Sequence, residues 1–425
     1  MGDRYQAAFI LPNGFTLGGT TTWSLELGTQ LQAKGERVVL INHCQDFAEA
    51  VTASSVNLDI TACVHPLHPN NWFLRKSDVE TYVAHYQTML PAVFIPNYSY
   101  GAYAACAMLS LNHPDEMRVI GVAHTDMEDY YHWLVEFESI IHLFIAVSRE
   151  IGDRLKVLLP HRASDIMVKP HAFISIDDQP RTYSSPDAPL RLLYGGRLTE
   201  RQKRISDLVG LAALLNRQQT DFLLDIYGAG RDQGYLRSLI TKLPEAAAQR
   251  ITCHGQVDFD EMGSCYRKAD LSILVSEYEG TSISMLESMA HGCVPLVTRV
   301  SGTAEIIDNG VNGYCFEVGE ISAMSQTITN LGKSRQELSR LGANARQTVG
   351  EMSGTSDYVS WFRDCLEQTW QNKPRSWQKK RLPAFYLPLR SFLKESGYTL
   401  ASKTGLHWLY ALKQPARRLL GSRYV

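Results

Sequence analysis

The sequence predicts an α/β protein of two doubly wound domains, each a parallel sheet covered by helices. Three observations carry this. Short apolar runs alternate with longer helical patterns along most of the chain, the alternation breaks once at a stretch rich in Pro, Ser and Asp, and it then starts again. The 425 residues suit two domains of roughly 100–200 residues each with material left over. Apolar residues at 44% and charged residues at 20% can supply two cores.

In the first domain, Met1–Ser175, strands are expected at Ala8–Leu11, Arg37–Ile41, Ala92–Ile95, Val119–Val122 and Leu143–Val147. Helices such as Thr20–Lys34 and Gly101–Leu111 lie between them. Ser175–Pro189, SIDDQPRTYSSPDAP, has no periodicity and reads as a linker. The second domain, Pro189–Gly350, resumes with strands at Arg191–Tyr194, Phe222–Tyr227, Leu271–Val275 and Val294–Val297. Its helices include Ile205–Asn216, Ser284–Ala290 and Gln336–Val349, and Thr355–Trp370 forms one more. A cleft between two such sheets suits a nucleotide, because ligands bind outside the carboxyl ends of parallel strands.

Composition narrows the function. A net charge of −2 argues against a general nucleic-acid binder. The eight cysteines form no CxxC pair, which fits free thiols in a reducing compartment. The apolar run near the start breaks at Pro12, too early for a signal peptide, and no run reaches ~18 apolar residues. The expected location is cytoplasmic. From Asn372 to Val425, twelve Lys/Arg face one acid, a charge of +11 that leaves −13 for the rest. These cations interleave with Trp377, Phe385, Tyr386, Phe392, Trp408 and Tyr410. Such a tail suits an anionic membrane surface, packing on the acidic body, or a solvated arm.

Ser276–Val297, SEYEGTSISMLESMAHGCVPLV, is the most informative segment. An apolar strand ends at Val275, a loop holds Glu279 and Gly280, and a helix begins near Ser282 with Glu287 on it. A loop of small residues feeding a helix N-terminus exposes backbone N–H groups, and the helix dipole favours an anion there. Two carboxylates beside such a site need hydroxyls to bind, and sugar and ribose hydroxyls fit. Taken alone, E-x7-E is more simply a solvated loop acid and a helix acid.

Other signals carry less. Gly228-Ala229-Gly230 places its third glycine at Gly234, one residue late for a dinucleotide fingerprint. Asp258-Phe259-Asp260 has the D-x-D form of metal-dependent glycosyltransferases but precedes a helix, so it reads as capping. His65 and His68 are flanked by Pro66 and Pro69 and read as a loop; no metal and no cofactor is expected.

The segment from Ser276 to Thr298 resembles the E-x7-E element of the retaining glycosyltransferases called group 1, which have the GT-B fold of two Rossmann-like domains facing a central cleft. SGTAEIIDNGVNGYCFEVGE (Ser301–Glu320), LLYGGRLTERQKR (Leu192–Arg204), IYGAGR and HGQV match the family in order and spacing. The likeness is strong over Arg191–Glu320 and weak in the first half.

That resemblance implies roles. Glu287 would bind the ribose and Glu279 a hydroxyl of the transferred sugar. The backbone of Gly280, Thr281, Ser282, Ile283 and Ser284 would cradle the donor, with Gly228 and Val257 beside it. Arg197 and Lys203 would face the diphosphate, stabilising charge on the leaving nucleotide. The family places its Lys five residues after the Arg, where this chain has Gln202, so Arg204 rivals Lys203. Thr281-Ser282-Ile283-Ser284 replaces the family's Phe-Gly-x-Pro, which leaves the donor sugar open. Gly18 and Gly19, at the turn after the first strand, would lie against a phosphate or the acceptor. His124 would face the reaction centre, with Asp126 and the tyrosines after it near the acceptor. The helix 355–371 would return to the first domain. The implied reaction moves a sugar from a nucleotide diphosphate-sugar to a saccharide, polysaccharide or lipid-linked glycan, the leaving phosphate taking the acceptor's proton. A sugar-nucleotide epimerase and a binding protein without turnover are the alternatives.

Overall fold

The computed structural model describes residues 4–11, 18–43, 59–62, 76–171, 174, 176–177, 179, 181–257, 259–354 and 358–378. Leu17, Cys44, Cys63, His65, His68, Asp258, the start of the 355–371 segment and the tail beyond Gln378 lie outside them.

The first domain carries β1 (Gln6–Leu11), α1 (Gly19–Ala33), β2 (Val38–Asn42), β3 (Asp59–Ala62), α2 (Lys76–Gln87), β4 (Ala92–Ile95), α3 (Tyr100–Asn112), β5 (Met117–Ala123), α4 (Glu128–Glu136), β6 (Leu143–Ala146), α5 (Arg149–Leu158) and β7 (Ile166–Val168). Its seven strands run parallel in the order β3-β2-β1-β4-β5-β6-β7. The second carries β8 (Leu190–Gly195), α6 (Glu200–Lys203), α7 (Ile205–Arg217), β9 (Phe222–Tyr227), α8 (Gln233–Ile240), α9 (Glu245–Ala248), β10 (Ile251–Gly255), α10 (Phe259–Lys268), β11 (Leu271–Leu274), α11 (Ile283–Ala290), β12 (Val294–Thr298), β13 (Tyr314–Phe316), α12 (Ile321–Lys333) and α13 (Gln336–Gly354). Its six strands, also parallel, run β10-β9-β8-β11-β12-β13.

Central strands such as β4 and β11 are buried at every residue, which explains their unbroken apolar runs. The strands without such a run are the four sheet edges. β10, for instance, alternates between half-buried and exposed positions. Helix starts follow local chemistry. Ser99, Ser148 and Ser282 cap α3, α5 and α11 with their hydroxyls. α1 starts at Gly18, which offers no side-chain cap.

The 181–189 stretch is a strap fixed to the second domain. Arg181 donates to the carbonyls of Tyr266, Arg267, Ala269 and His291. Ser184 binds the buried Asp270 carboxylate through both its N–H and its hydroxyl. Its lack of periodicity reflects a segment held by polar contacts.

After α13 the chain crosses back, and α14 (Tyr358–Gln371) packs on the first domain. Tyr358, Phe362, Cys365 and Leu366 join that domain's core. Docking continues past the helix. Arg118 donates to the Asn372 carbonyl, the Trp377 N–H donates to Ser110, and Trp377 is buried against Phe137. In the basic tail placed at 372–425, Asn372, Arg375 and Trp377 therefore contact the first domain. No helix of the described residues is long and apolar enough to cross a membrane.

Candidate active site

Each sheet reverses its winding once, between β1 and β4 in the first and between β8 and β11 in the second. Loops at such switch points diverge and leave a crevice. Gly18 and Asn97 follow β1 and β4; Gly196 and Glu279 follow β8 and β11. The two crevices face each other. A Cβ placed on Gly19 would touch Ile283 Cγ1 at 3.4 Å, so the N-termini of α1 and α11 meet across the domains. Two helix N-termini converging on one point make a site for a multiply charged anion. Among the described residues, nothing lies within 4 Å of where a Cβ on Gly18 would be.

In the wall beside α11, Lys203 Nζ donates to Glu279 Oε1 at 2.5 Å, and the Ser276 hydroxyl donates to the same oxygen at 2.6 Å. Both charged side chains are about nine-tenths buried. Lys203 and Arg204, the rivals for one role, have different partners here. Helix α6 ends at Lys203, and Arg204 takes the left-handed conformation (φ 48°). That break carries the extra residue of the Arg-to-Lys spacing and turns Arg204 to Asp207 and Glu277, at 2.7 and 2.9 Å. Gln202, in the family's lysine place, accepts from Arg197 at 3.1 Å. Arg197 is exposed.

Glu287 lies one face along α11 from this pair. Burial lifts its carboxyl to about 7, against the opposing hydrogen bond from the Tyr266 hydroxyl. The loops after β8, β9 and β10 are stitched edge to edge: Gly196 N–H to the Tyr227 carbonyl at 3.0 Å, and Gly228 N–H to the Gly255 carbonyl at 2.7 Å. Gly228 has φ +139°, and a Cβ there would overlap the Gly196 carbonyl. Val257, half-buried, follows this seam.

Thr281 leads into α11, Ser282 caps it, and Ile283 and Ser284 open its first turn. The Thr281 hydroxyl, however, donates at 2.6 Å to the Val147 carbonyl of the other domain. Gly280 sits so close to the first domain that a Cβ would overlap the His124 carbonyl oxygen.

His124 presents this carbonyl to the donor loop and keeps its ring in the first domain. The Asn97 amide donates to the Ile10 carbonyl, so its Oδ1 is an acceptor, and His124 Nε2–H donates to it at 2.9 Å. His124 Nδ1 then accepts from His171 Nε2–H at 3.2 Å. Burial, with His171 next to it, holds the His124 ring well below its usual pKa and therefore neutral. Neither ring nitrogen is left for a base at the reaction centre. Asp126 also has partners, the Tyr131 hydroxyl at 2.7 Å and Arg154 at 3.1 Å. Tyr98 and Tyr130, both of the first domain, stack at 3.8 Å between centroids.

Sequence reasoning missed Asn97, His171, Tyr266 and Ser276. Asn97 was signalled by Pro96-Asn97 directly after a strand, and Ser276 by its place after Val275. His171 and Tyr266 carry no local signal.

Residues 175–348 match the family described as "Glycosyl transferases group 1". N-acetyl-alpha-D-glucosaminyl L-malate synthase of Bacillus anthracis is 29% identical over 160 residues, 38% of this chain and 41% of the relative. The match therefore spans less than half of that relative's length. The lipopolysaccharide outer core galactosyltransferase WaaB is similar in structure with a TM-score of 0.66 at 18% identity, covering 85% of this chain and 99% of that one. Anabaena Alr3699/HepE, solved with UDP and glucose, gives 0.66 at 15% identity over 86% and 100%. These likenesses show the GT-B fold.

Proposed function

We propose that this chain, whose residues 175–348 form a group 1 glycosyltransferase domain within a GT-B fold, transfers a sugar with retention from a nucleoside diphosphate-sugar to a hydroxyl acceptor. One observation carries the reading: a buried Lys203–Glu279 pair beside two helix N-termini that converge across the cleft. The diphosphate would lie beside the Gly19–Ile283 contact, at the N-termini of α1 and α11, with Arg197 and Lys203 offsetting the charge that grows on it. Glu279 Oε1 is held by Lys203 and Ser276, so Oε2 is the oxygen for a hydroxyl of the transferred sugar. Glu287 would accept from the ribose. The bond from the anomeric carbon to the β-phosphate oxygen breaks and the acceptor oxygen bonds to that carbon. The acceptor's proton passes to the departing phosphate, a route that needs no side-chain base and accords with the fully engaged His124 ring.

UDP-sugars are the donors to try first, by analogy with HepE. The acceptor class is a saccharide, polysaccharide or lipid-linked glycan, and the basic tail would hold the enzyme at an anionic membrane surface on the cytoplasmic side. A panel of nucleotide-sugars tests the reaction, with nucleotide release followed alone and with candidate acceptors. One donor should be slowly hydrolysed and turned over faster with its acceptor. Failure of every donor to bind or react overturns the reading.

A further inference from the structure

Val147, Ser148, Arg149 and Glu150 run consecutively from the end of β6 into the first turn of α5, and each is hydrogen-bonded to the second domain. The Val147 carbonyl accepts from the Thr281 hydroxyl at 2.6 Å, and the Ser148 and Ser301 hydroxyls share a hydrogen bond at 2.6 Å. The N–H groups of Arg149 and Glu150 each donate at 3.0 Å, one to each carboxylate oxygen of Glu305. Close by, the Asp126 N–H donates to the Glu279 carbonyl at 3.0 Å. Thr281, Ser148 and Ser301 are buried.

From this we infer that Glu305 and Thr281 are positioning residues: they clasp the second domain onto the 147–150 segment and so set the 279–281 loop for reaction. The inference rests on the proposed transfer reaction for its effect on turnover. The clasp itself is a matter of geometry. Glu305 caps a helix of the opposite domain, where a carboxylate complements two free N–H groups and the helix dipole. Thr281 stands where the resembling family has phenylalanine, and its hydroxyl makes a bond that phenylalanine cannot. Both contacts exist when the domains are closed and vanish when they part. The loop bearing Glu279 is thereby tied at its 279 carbonyl and its 281 side chain to the domain expected to hold the acceptor.

Neither side chain is assigned to the nucleotide, and Thr281→Val keeps the backbone amide, so the expected signature is a split. In Glu305→Ala combined with Thr281→Val, turnover should fall by roughly tenfold or more, since small misplacements at a reacting centre are costly. UDP affinity measured by calorimetry should stay within about twofold, and small-angle scattering with UDP should show a larger radius of gyration than for the parent chain. Glu305→Gln, which keeps one acceptor oxygen, should recover part of the turnover lost in Glu305→Ala. Scattering identical to that of the parent chain, or turnover lost only in step with UDP binding, overturns the clasp. If the parent chain turns over no donor, the transfer reading fails, and scattering still decides the clasp.

Discussion

Lys203 and Glu279 meet at 2.5 Å in the wall of the cleft, and Ser276 binds the same carboxylate oxygen. One half of the carboxylate is thus engaged by protein, and in the proposed reaction the other would serve the donor sugar. The ammonium, with two further hydrogens to donate, can hold Glu279 and face a phosphate at once.

Replacing Lys203 by Ala should therefore damage two properties. Turnover should fall by ~10²–10³, the scale of losing one preorganised electrostatic donor. Stability should fall by about 3–5 kcal/mol, because Glu279 is left as a buried unpaired charge. Arg204→Ala should leave turnover within about threefold, as Arg204 is spent on Asp207 and Glu277. Steady-state kinetics and denaturant melts check both, and the reverse ranking would transfer the diphosphate role to Arg204.

Nucleotide affinity should depend on pH through Glu287. Its carboxyl, lifted to about 7 by burial, must be ionised to accept from two ribose hydroxyls. UDP binding should strengthen as pH rises through about 7 and weaken by roughly tenfold per unit below it. Stability should run the other way. The folded chain keeps this proton where the unfolded chain, with an ordinary value near 4.5, has lost it. Glu287 therefore lowers stability progressively as pH rises from about 4.5 to 7. Glu287→Gln should flatten the affinity profile and remove that slope, as calorimetry and thermal melts across pH would show.

Gly280→Ala should nearly abolish turnover with little loss of fold. A Cβ at that position overlaps the His124 carbonyl, so the domains must part or the loop must shift. A circular dichroism melt close to that of the parent chain, with turnover down by ~10², is the expected result. Unimpaired kinetics would mean that this contact is not part of the working state.

The tail should be cut after Gln378 rather than after Gln371. Ending at Gln371 removes the buried Trp377 and should cost about 3–5 kcal/mol. A chain ending at Gln378 should keep its melting temperature and lose sedimentation with phosphatidylserine-containing vesicles. Equal sedimentation of the two chains would remove the membrane role.

Much of this architecture was legible because central strands must be apolar on both faces. Ala92–Ile95, buried at every residue, stands in the structure with the bounds its apolar run indicates; Phe222–Tyr227 also keeps its expected bounds, although its burial alternates and Leu223 is exposed. The edge strands β3, β7, β10 and β13 were not legible, since strands of three to five residues leave no such run, and β7, β10 and β13 are also only part-buried. In the site, Glu279, Gly280 and Lys203 come together as one motif-bearing wall. The partners of the His124 ring were not legible, for a physical reason. A sequence shows that a histidine follows a strand, yet its partners Asn97 and His171 come from elements 27 residues before it and 47 after. Glu305 stands in the matched Ser301–Glu320 segment, but its capping of a helix in the other domain was not legible, since a cap supplied across domains has no local spacing to betray it.

The return of α14 and Trp377 to the first domain makes the second domain a guest inserted into its host. Residues 1–175 lack part of their own interior, since Phe362, Leu366 and Trp377 belong to it. A chimera that borrows another protein's donor half needs two seams, one before the Arg181 strap and one between α13 and α14. A single splice near residue 180 would leave the host with an open flank.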